Sequence, residues 1–347
     1  MQCGTPVAMW GGMALVLSVA RAALDRDRPL VTHLVITRRC NLSCGYCHEY
    51  DRTSAPVPAE TLRERIDHLA RLESVFVTLT GGESLLHPDA AALVAYVRER
   101  GMTPFLNTNG YLLTRDWIEA LDDAGLYAMQ LSVDNVSPND VSKKSLKTLL
   151  PKLRLLKEHA RFRVRVNCVL GSSPPAEALE VARTVIDLGF DLSTSLMREG
   201  DGSMAALDPR VRDAYAAIQR MGRRAPAYLS ADRFTRQLLD EGAMQWKCRA
   251  GARTFLVDEF GLVHLCAPRM GTPGKPLALY TQGDIRHYFD APKPCAATCP
   301  VAYAHHASRL DAVRAQDGAP ISIGTLVQIR RARPLLGDRA CDSATAS

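Results

Sequence analysis

The sequence predicts an α/β protein built as an open, partial (β/α)6 barrel of the TIM type, followed by a small α+β region. Six β-rich runs alternate with six segments of helical periodicity between about residues 31 and 225. This alternation is typical of a parallel sheet whose strands are joined by right-handed helical crossovers. Because a closed barrel of this type needs eight units, six units predict a barrel that stays open.

The predicted elements follow one another in a regular order. We expect strands at residues 32–37, 75–79, 104–107, 128–133, 162–170 and 190–196. We expect the helices that follow them at 59–72, 88–100, 114–124, 144–160, 175–188 and about 209–223. A further helix is expected up to Met244, and then a β-hairpin of 254–257 and 262–266 in which Gly261 supplies the turn.

The two ends of the chain differ from the barrel in composition. The apolar stretch 7–20 is too short for a comfortable membrane span and lacks the positive start of a signal peptide. We expect it to form a helix that packs on the barrel, with peripheral membrane contact as the alternative. The predicted organisation is an N-terminal extension at 1–30, the barrel at 31–225, a small region at 226–318, and a basic tail at 319–347 whose composition is typical of fraying.

The overall composition excludes several classes of protein. The 347 residues are 47% hydrophobic and 23% charged, which is ordinary globular usage and excludes disorder, collagen and coiled coil for the whole chain. The net charge of +6 is mild and aromatic residues are only 6%, so we expect no nucleic-acid partner. Ten cysteines, crowded in places, suit metal binding better than disulfides and imply a reducing, cytoplasmic setting.

The first crowded set comprises Cys40, Cys44 and Cys47, in a loop that begins just after the first predicted strand. The carboxyl ends of parallel strands carry the chemistry in α/β folds. A fully ligated four-iron cluster usually takes four cysteines, so three thiolates would leave one iron open to a ligand. The residues also allow a zinc site, because His48 follows directly.

The spacing CxxxCxxC, with the aromatic Tyr46 before the third cysteine, resembles the radical S-adenosylmethionine (radical SAM) superfamily. Similar segments follow in register over roughly residues 31–225. The resemblance implies a [4Fe–4S] cluster with three cysteine ligands, whose open iron binds SAM. It implies that one electron cleaves the SAM sulfonium and that the resulting 5′-deoxyadenosyl radical abstracts hydrogen from a substrate. An electron donor such as flavodoxin or ferredoxin would then be a partner.

The resemblance assigns SAM contacts to residues near the ends of the first five strands. They are Tyr46, Gly81, Gly82, Glu83, Asn109, Ser132, Asp134, Arg165 and Asn167. Glu83 ends a segment similar to the GGE motif that holds the amino group of SAM, and Asn109 lies in a segment similar to the TNG motif. Ser132 and Asp134 resemble a pair that contacts the ribose, and Arg165 resembles a cation that meets the carboxylate. Ordinary alternatives for these segments are a glycine-rich turn, a simple turn, an Asx-type cap and a salt bridge.

A second cysteine set lies beyond residue 226. Its members are Cys248, Cys266, Cys295 and Cys299. Twelve residues separate Cys248 from Gly261 and four separate Gly261 from Cys266, which resembles the opening of the auxiliary-cluster domain called SPASM, or its shorter form, twitch. The resemblance implies one auxiliary [4Fe–4S] cluster, saturated by four thiolates and suited to accepting an electron. A structural zinc site is the alternative. Of the other cysteines, Cys168 is expected in the core.

Several polar residues are placed near the predicted open iron. Glu49 and Tyr50 follow the third cysteine and are candidates for general acid–base roles, with loop solvation as the alternative. Arg198, Glu199 and Asp201 follow the sixth strand, where they would meet a polar substrate or simply face solvent.

The predicted function is hydrogen abstraction from a small-molecule substrate by a radical SAM enzyme, with natural-product biosynthesis as one setting. Alternatives are peptide modification and modification of a lipid or hopanoid-type substrate, the latter suggested by the apolar N-terminal helix. Only about 30 residues precede the first strand, which we expect to be too few for a leader-binding domain. The non-enzyme alternative is a zinc-bound scaffold.

Overall fold

The computed structural model describes residues 7–221 and 232–311 and confirms the α/β class. Its strands are β1 (Val31–Thr37), β2 (Phe76–Gly81), β3 (Thr103–Thr108), β4 (Ala128–Ser132), β5 (Arg163–Leu170), β6 (Asp191–Leu196), β7 (Thr254–Val257), β8 (Leu262–His264) and β9 (Pro273–Pro276). Its α-helices are α1 (Val7–Leu24), α2 (Ala59–Arg71), α3 (Ala90–Glu99), α4 (Arg115–Asp123), α5 (Leu146–His159), α6 (Pro175–Asp187), α7 (Arg210–Met221), α8 (Asp232–Glu241), α9 (Gln282–Asp290) and α10 (Ala302–Arg309). The predicted tail, Cys3 and Cys341 lie outside the described residues.

Within the described residues, one sheet holds nine strands in the order β6-β5-β4-β3-β2-β1-β7-β8-β9. Neighbours are parallel from β6 to β7 and antiparallel from β7 to β9. The six-stranded barrel therefore continues into the predicted hairpin, because β7 pairs with β1 from Val31↔Thr254 to Leu34↔Val257. The sheet thus crosses the boundary expected near residue 225, and the division into domains stays a prediction.

The apolar face of the sheet is covered by the helices. Leu34 and Ile36 of β1 are fully buried there, as are Val166 and Cys168 of β5. Arg165, which directly precedes Val166 in the same strand, is exposed instead. The alternation predicted for this strand is therefore confirmed, and the polar side chains are left to line the concave side of the sheet.

Helix α1 packs against the end of the barrel where the strands begin. Ala22 is fully buried in an apolar cluster there, and Leu15 and Val19 pack against that cluster. Val16 and Leu17, on the other side of the helix, are exposed. Packing on the barrel is therefore confirmed for the described side chains. Among the described residues, no helix combines the length and apolar character that crossing a bilayer requires.

A buried ion pair ties β7 to the segment that leads into β1. Arg253 is fully buried and donates two hydrogen bonds to the Asp311 carboxylate, each 2.8 Å long. Its remaining terminal nitrogen donates to the carbonyl oxygens of Asp25 and Arg28, also at 2.8 Å. Because a buried guanidinium needs such partners, this arrangement fixes the start of β7 against the start of β1.

Candidate active site at the carboxyl ends of the strands

The first cysteine set lies on a loop, residues 40–50, that leaves β1 and is tied back to it. The backbone N–H of Cys40 donates to the carbonyl of Asp51 at 2.9 Å, and that of Asp51 donates to the carbonyl of Arg38 at 3.0 Å. These two bonds close the base of the loop. All three cysteines are therefore presented together at the carboxyl end of the sheet.

Three N–H groups are directed at the sulfur atoms of this loop. The backbone nitrogen of Leu42 lies 3.4 Å from Cys40 Sγ, and the side-chain amide nitrogen of Asn109 lies 3.7 Å from the same atom. The backbone nitrogen of Lys143 lies 3.3 Å from Cys44 Sγ. Hydrogen bonds to sulfur are one of the means by which proteins tune iron–sulfur clusters.

The donor chemistry of the loop fits a cluster. Burial raises the pKa of the Cys40 and Cys47 thiols, so a proton must leave each sulfur when metal binds. Across residues 7–221 and 232–311, no group of three or more His, Cys, Asp or Glu side chains is gathered around a point where one metal ion would sit. A four-iron cluster does not require such a gathering, because each thiolate binds a different iron.

Gly81 and Gly82 let the end of β2 lie directly against the cysteine loop. Gly81 has a φ of 145°, and a Cβ on it would overlap the end of β1. A Cβ on Gly82 would overlap the carbonyl oxygens of Arg38 and Arg39. The two glycines thus support the residues that lead into Cys40, and their contact with SAM stays a prediction.

Glu83 is fully buried and ties the end of β2 to the end of β3. One carboxylate oxygen accepts the Thr108 hydroxyl at 2.5 Å and the Leu85 N–H at 3.0 Å. The other accepts the Asn109 N–H at 2.7 Å. Burial raises the pKa of Glu83, against these bonds. Because Asn109 donates in turn to Cys40, the carboxylate positions a neighbour of the first cysteine, while its contact with SAM stays a prediction.

Asp134 is also fully buried, and both of its carboxylate oxygens accept hydrogen bonds from other residues of the chain. One oxygen accepts the Tyr46 hydroxyl at 2.8 Å and the Ser142 hydroxyl at 2.7 Å, and the other accepts the Val169 N–H at 3.0 Å. Lys144 approaches the same group and donates to the Tyr46 oxygen at 2.7 Å. Asp134 therefore orients the aromatic residue of the cysteine loop. Its predicted contact with a ribose stays a prediction.

Asn167 and Arg165 lie on the concave side of the sheet. The Asn167 carbonyl oxygen accepts hydroxyl bonds from Ser193 at 3.1 Å and Ser195 at 3.0 Å, which leaves its amide nitrogen to donate elsewhere. Arg165 is exposed, and among the described residues no carboxylate forms an ion pair with it. Ser132 is half-buried at the end of β4. These side chains have the polarity that an anionic ligand requires.

The candidate acid–base residues are less well placed. Glu49 forms an ion pair with Arg198, so the carboxylate has a cationic partner in this structure. Tyr50 is half-buried, and within the described ranges its hydroxyl forms no hydrogen bond. Asp201 accepts bonds from Ser203 within its own turn, which explains it without a substrate.

The four C-terminal cysteines are brought together by the fold. Cys248, Cys266 and Cys299 are buried in two adjoining apolar clusters that share a tryptophan and a tyrosine. Burial raises the pKa of Cys266 to about 12 and that of Cys299 to about 11, and the neighbouring thiols act in the same direction. The nearby Cys295 raises the pKa of the Arg269 guanidinium. The four thiols are thus close enough to affect one another's pKa, and their binding of a metal centre stays a prediction.

Tyr303 of α10 packs against the second cysteine set and lies near Glu49 of the first cysteine loop. Its hydroxyl accepts the N–H of Ala267, the residue after Cys266, at 3.1 Å. Its ring centroid lies 4.5 Å from that of His33 on β1. Burial raises the pKa of Tyr303, and the Cys266 and Glu49 charges add to this effect. Nothing in the sequence pattern marked this residue, because its position depends on how α10 packs.

The fold and this site together define a class of protein. A family model described as the Radical SAM superfamily matches residues 34–197. The matched part of the chain contains the first cysteine set, most of β1 and strands β2 to β6, and it is similar to that superfamily. Enzymes of this class use a [4Fe–4S] cluster and SAM.

Individual relatives resemble parts of the chain. Fe-coproporphyrin III synthase of Methanosarcina barkeri is 32% identical over 115 residues, which are 32% of this chain and 29% of that protein. PqqA peptide cyclase of Xanthomonas oryzae is 29% identical over 208 residues, 52% of this chain and 54% of that protein. The chain thus matches at most about half the length of these two relatives.

A solved structure resembles most of the chain. Streptococcus suis SuiB bound to precursor peptide SuiA superimposes with a TM-score of 0.61 and covers 85% of this chain and 74% of SuiB. The sequence identity is 15%, so this likeness concerns the fold.

Proposed function

We propose that this protein is a radical SAM enzyme in which Cys40, Cys44 and Cys47 hold the catalytic [4Fe–4S] cluster. The observation that carries the proposal is the tied loop at the end of β1, with N–H donors directed at two of its sulfur atoms. When bound, the cluster supplies the electron that cleaves SAM, and the 5′-deoxyadenosyl radical formed takes a hydrogen atom from the substrate.

The residues around the loop would hold SAM and shield it from water. The exposed Arg165 guanidinium and the free amide nitrogen of Asn167 would bind the carboxylate of the methionine moiety. Ser132 would donate to a sugar hydroxyl or to the same carboxylate. Tyr46, held by Asp134, would present its ring beside the bound cofactor.

We further propose that Cys248, Cys266, Cys295 and Cys299 bind an auxiliary [4Fe–4S] cluster. Three of these thiols are buried in two adjoining apolar clusters, and Cys295 affects the pKa of two of them. Four thiolates match the ligand number that saturates such a cluster. A saturated cluster has no iron for substrate, so electron transfer is the role that its chemistry supports. Tyr303, which packs against the second set and lies near Glu49, would lie on the path from substrate to this cluster.

The substrate class has two candidates. The first candidate, a small molecule, stays a prediction from the sequence. It agrees with the similarity to Fe-coproporphyrin III synthase, whose name indicates a porphyrin. A peptide is favoured by the similarity to PqqA peptide cyclase and to SuiB, whose structure contains a bound precursor peptide. We favour the peptide, because these two resemble the larger parts of the chain.

The catalytic proposal is tested by product formation. Anaerobically reconstituted protein, reduced with dithionite and given SAM, should release 5′-deoxyadenosine. Cys40→Ala should abolish this release. Cys168→Ala is the matched control, because it removes a fully buried thiol outside both sets, and it should retain release. Equal release from wild type and Cys40→Ala would overturn the assignment of the first set.

The substrate class is tested by isotope transfer. The protein is incubated with SAM and either a deuterated peptide digest or a deuterated mixture of small metabolites. Deuterium in 5′-deoxyadenosine only from the digest supports a peptide substrate. Deuterium only from the metabolite mixture supports the small-molecule prediction and overturns the peptide preference.

A further inference from the structure

We propose that Lys144 is a positioning residue of the catalytic cluster: its ammonium group raises the reduction potential of the cluster on the first cysteine set and holds the Tyr46 ring in place. This inference rests on the proposed function. It concerns a residue that lies in the loop between β4 and α5, remote in sequence from the cysteines.

The geometry places Lys144 behind the cysteine loop. Its Nζ donates to the Tyr46 hydroxyl at 2.7 Å and lies 4.0 Å from an Asp134 carboxylate oxygen. The same nitrogen lies 5.0 Å from the centroid of the Tyr46 ring. Tyr46 stands between Cys44 and Cys47 in the chain, and the preceding residue, Lys143, donates its backbone N–H to Cys44. The lysine therefore contacts the cysteine loop from within the protein.

The ammonium group of Lys144 lies within electrostatic reach of all three cysteines, because it attracts negative charge on Cys40, Cys44 and Cys47. Burial alone would lower the pKa of Lys144, but neighbouring groups outweigh it and hold that pKa well above its usual range. The side chain therefore remains a cation at neutral pH.

The negative groups around the cysteine loop explain why the Lys144 cation would affect the cluster. Two buried carboxylates, Glu83 and Asp134, stand near the loop, and three thiolates would add further negative charge on cluster binding. Reduction adds one more electron. The potential of a cluster depends on nearby charge, and a cation close to the sulfur atoms favours the reduced form. Removing it should make the cluster harder to reduce.

The test uses matched lysine variants in the full-length reconstituted protein. Lys144→Met removes the charge and the bond to Tyr46, whereas Lys144→Gln removes the charge and keeps a donor. Lys144→Arg retains both and should behave like wild type. Lys143→Met is the control, because it removes the same formal charge one residue away, from a side chain paired with Asp140 at the surface, and keeps the backbone N–H that faces Cys44. Tyr46→Phe removes the hydroxyl and leaves the charge.

The first readout is a redox titration followed by electron paramagnetic resonance, using the reduced signal that changes when SAM is added. In Lys144→Met and Lys144→Gln, the ratio of reduced to oxidised cluster at a fixed potential should fall at least tenfold, which is 59 mV for one electron. Lys144→Arg, Lys143→Met and Tyr46→Phe should stay within threefold of wild type. The second readout is SAM binding, which should weaken at least threefold in Lys144→Met and Tyr46→Phe.

Several results would overturn the inference. Potentials within threefold of wild type in both charge-removing variants would show that the ammonium does not tune the cluster. An equal shift in Lys143→Met would show a general charge effect. If Lys144→Met fails to assemble iron, the Lys144→Gln result decides. A wild-type protein with no SAM-responsive signal would overturn the proposed function itself, which is distinct from normal SAM response with unchanged potentials.

Discussion

Replacing Glu83 by Gln tests whether the hydrogen bonds of this residue stabilise the site when no ligand is bound. The carboxylate is fully buried and accepts three hydrogen bonds. A glutamine oxygen can keep the bonds from Thr108 and Leu85, but its amide nitrogen would then face the backbone N–H of Asn109. One charge-assisted bond is lost, about 1.5–3 kcal/mol, and a buried donor is left unpaired, about 1–3 kcal/mol. Because the two costs overlap, we expect a total loss of about 2–4 kcal/mol.

The assay is thermal unfolding by circular dichroism without SAM, so that no ligand contact contributes. At about 2 °C per kcal/mol for a chain of this size, the melting temperature should fall by about 4–8 °C. Glu119→Gln is the matched control, because it breaks an exposed Arg115–Glu119 ion pair and should cost under about 1 kcal/mol. Equal melting temperatures for Glu83→Gln and Glu119→Gln would refute the supporting role.

Three further outcomes are expected. Arg253→Met should lower stability by about 3–5 kcal/mol in denaturant titration, because it leaves the buried Asp311 carboxylate without its guanidinium, and a loss under about 1 kcal/mol would contradict this. Burial opposes ionisation of Asp258, but the His264 hydrogen bond and backbone donors outweigh burial and lower the pKa of this carboxyl. The stability that the Asp258 carboxylate contributes is therefore present above about pH 3.9 and is lost as pH falls through the lowered pKa. The difference in free energy of unfolding between wild type and Asp258→Asn should shrink from about pH 6 to about pH 3, and a constant difference would contradict the pairing. Gly81→Ala should cost about 2–5 kcal/mol, since it combines overpacking with strain at positive φ, and iron incorporation measured after reconstitution should fall with it.

Much of the fold is predictable from the sequence because the periodicity is regular. Every predicted strand of the barrel is present with bounds within two residues, and the hairpin turns at Gly261 as expected. The alternation on β5 identified both Cys168 as a core residue and Arg165 as a residue of the polar face. These features depend on residues that are close together in the sequence, and so the periodicity of the sequence predicts them.

The sequence did not predict that the hairpin would extend the barrel sheet. Pairing between β1 and β7 joins segments more than two hundred residues apart, and no local pattern encodes which edge a strand selects. The expected boundary near residue 225 followed a change in composition.

The candidate site was predictable where motifs carry it and not where packing carries it. The cysteine spacings identified both sets as candidate cluster ligands, and this assignment stays a prediction. Lys144 was missed because helical periodicity assigned it to the start of a helix, whereas α5 begins at Leu146 and leaves the lysine in the loop. Glu49 was a candidate base by position, but its pairing with Arg198 depends on a loop that follows β6.

The most direct test of the central claim is a count of iron and sulfide per chain after anaerobic reconstitution. Wild type and a Cys40/Cys44/Cys47 triple-alanine variant are compared. We expect about eight irons and eight sulfides in wild type and about four of each in the variant, because each cysteine set holds one four-iron cluster. Unchanged iron in the variant, or stoichiometric zinc without iron in wild type, would contradict the assignment of the catalytic cluster to the first set.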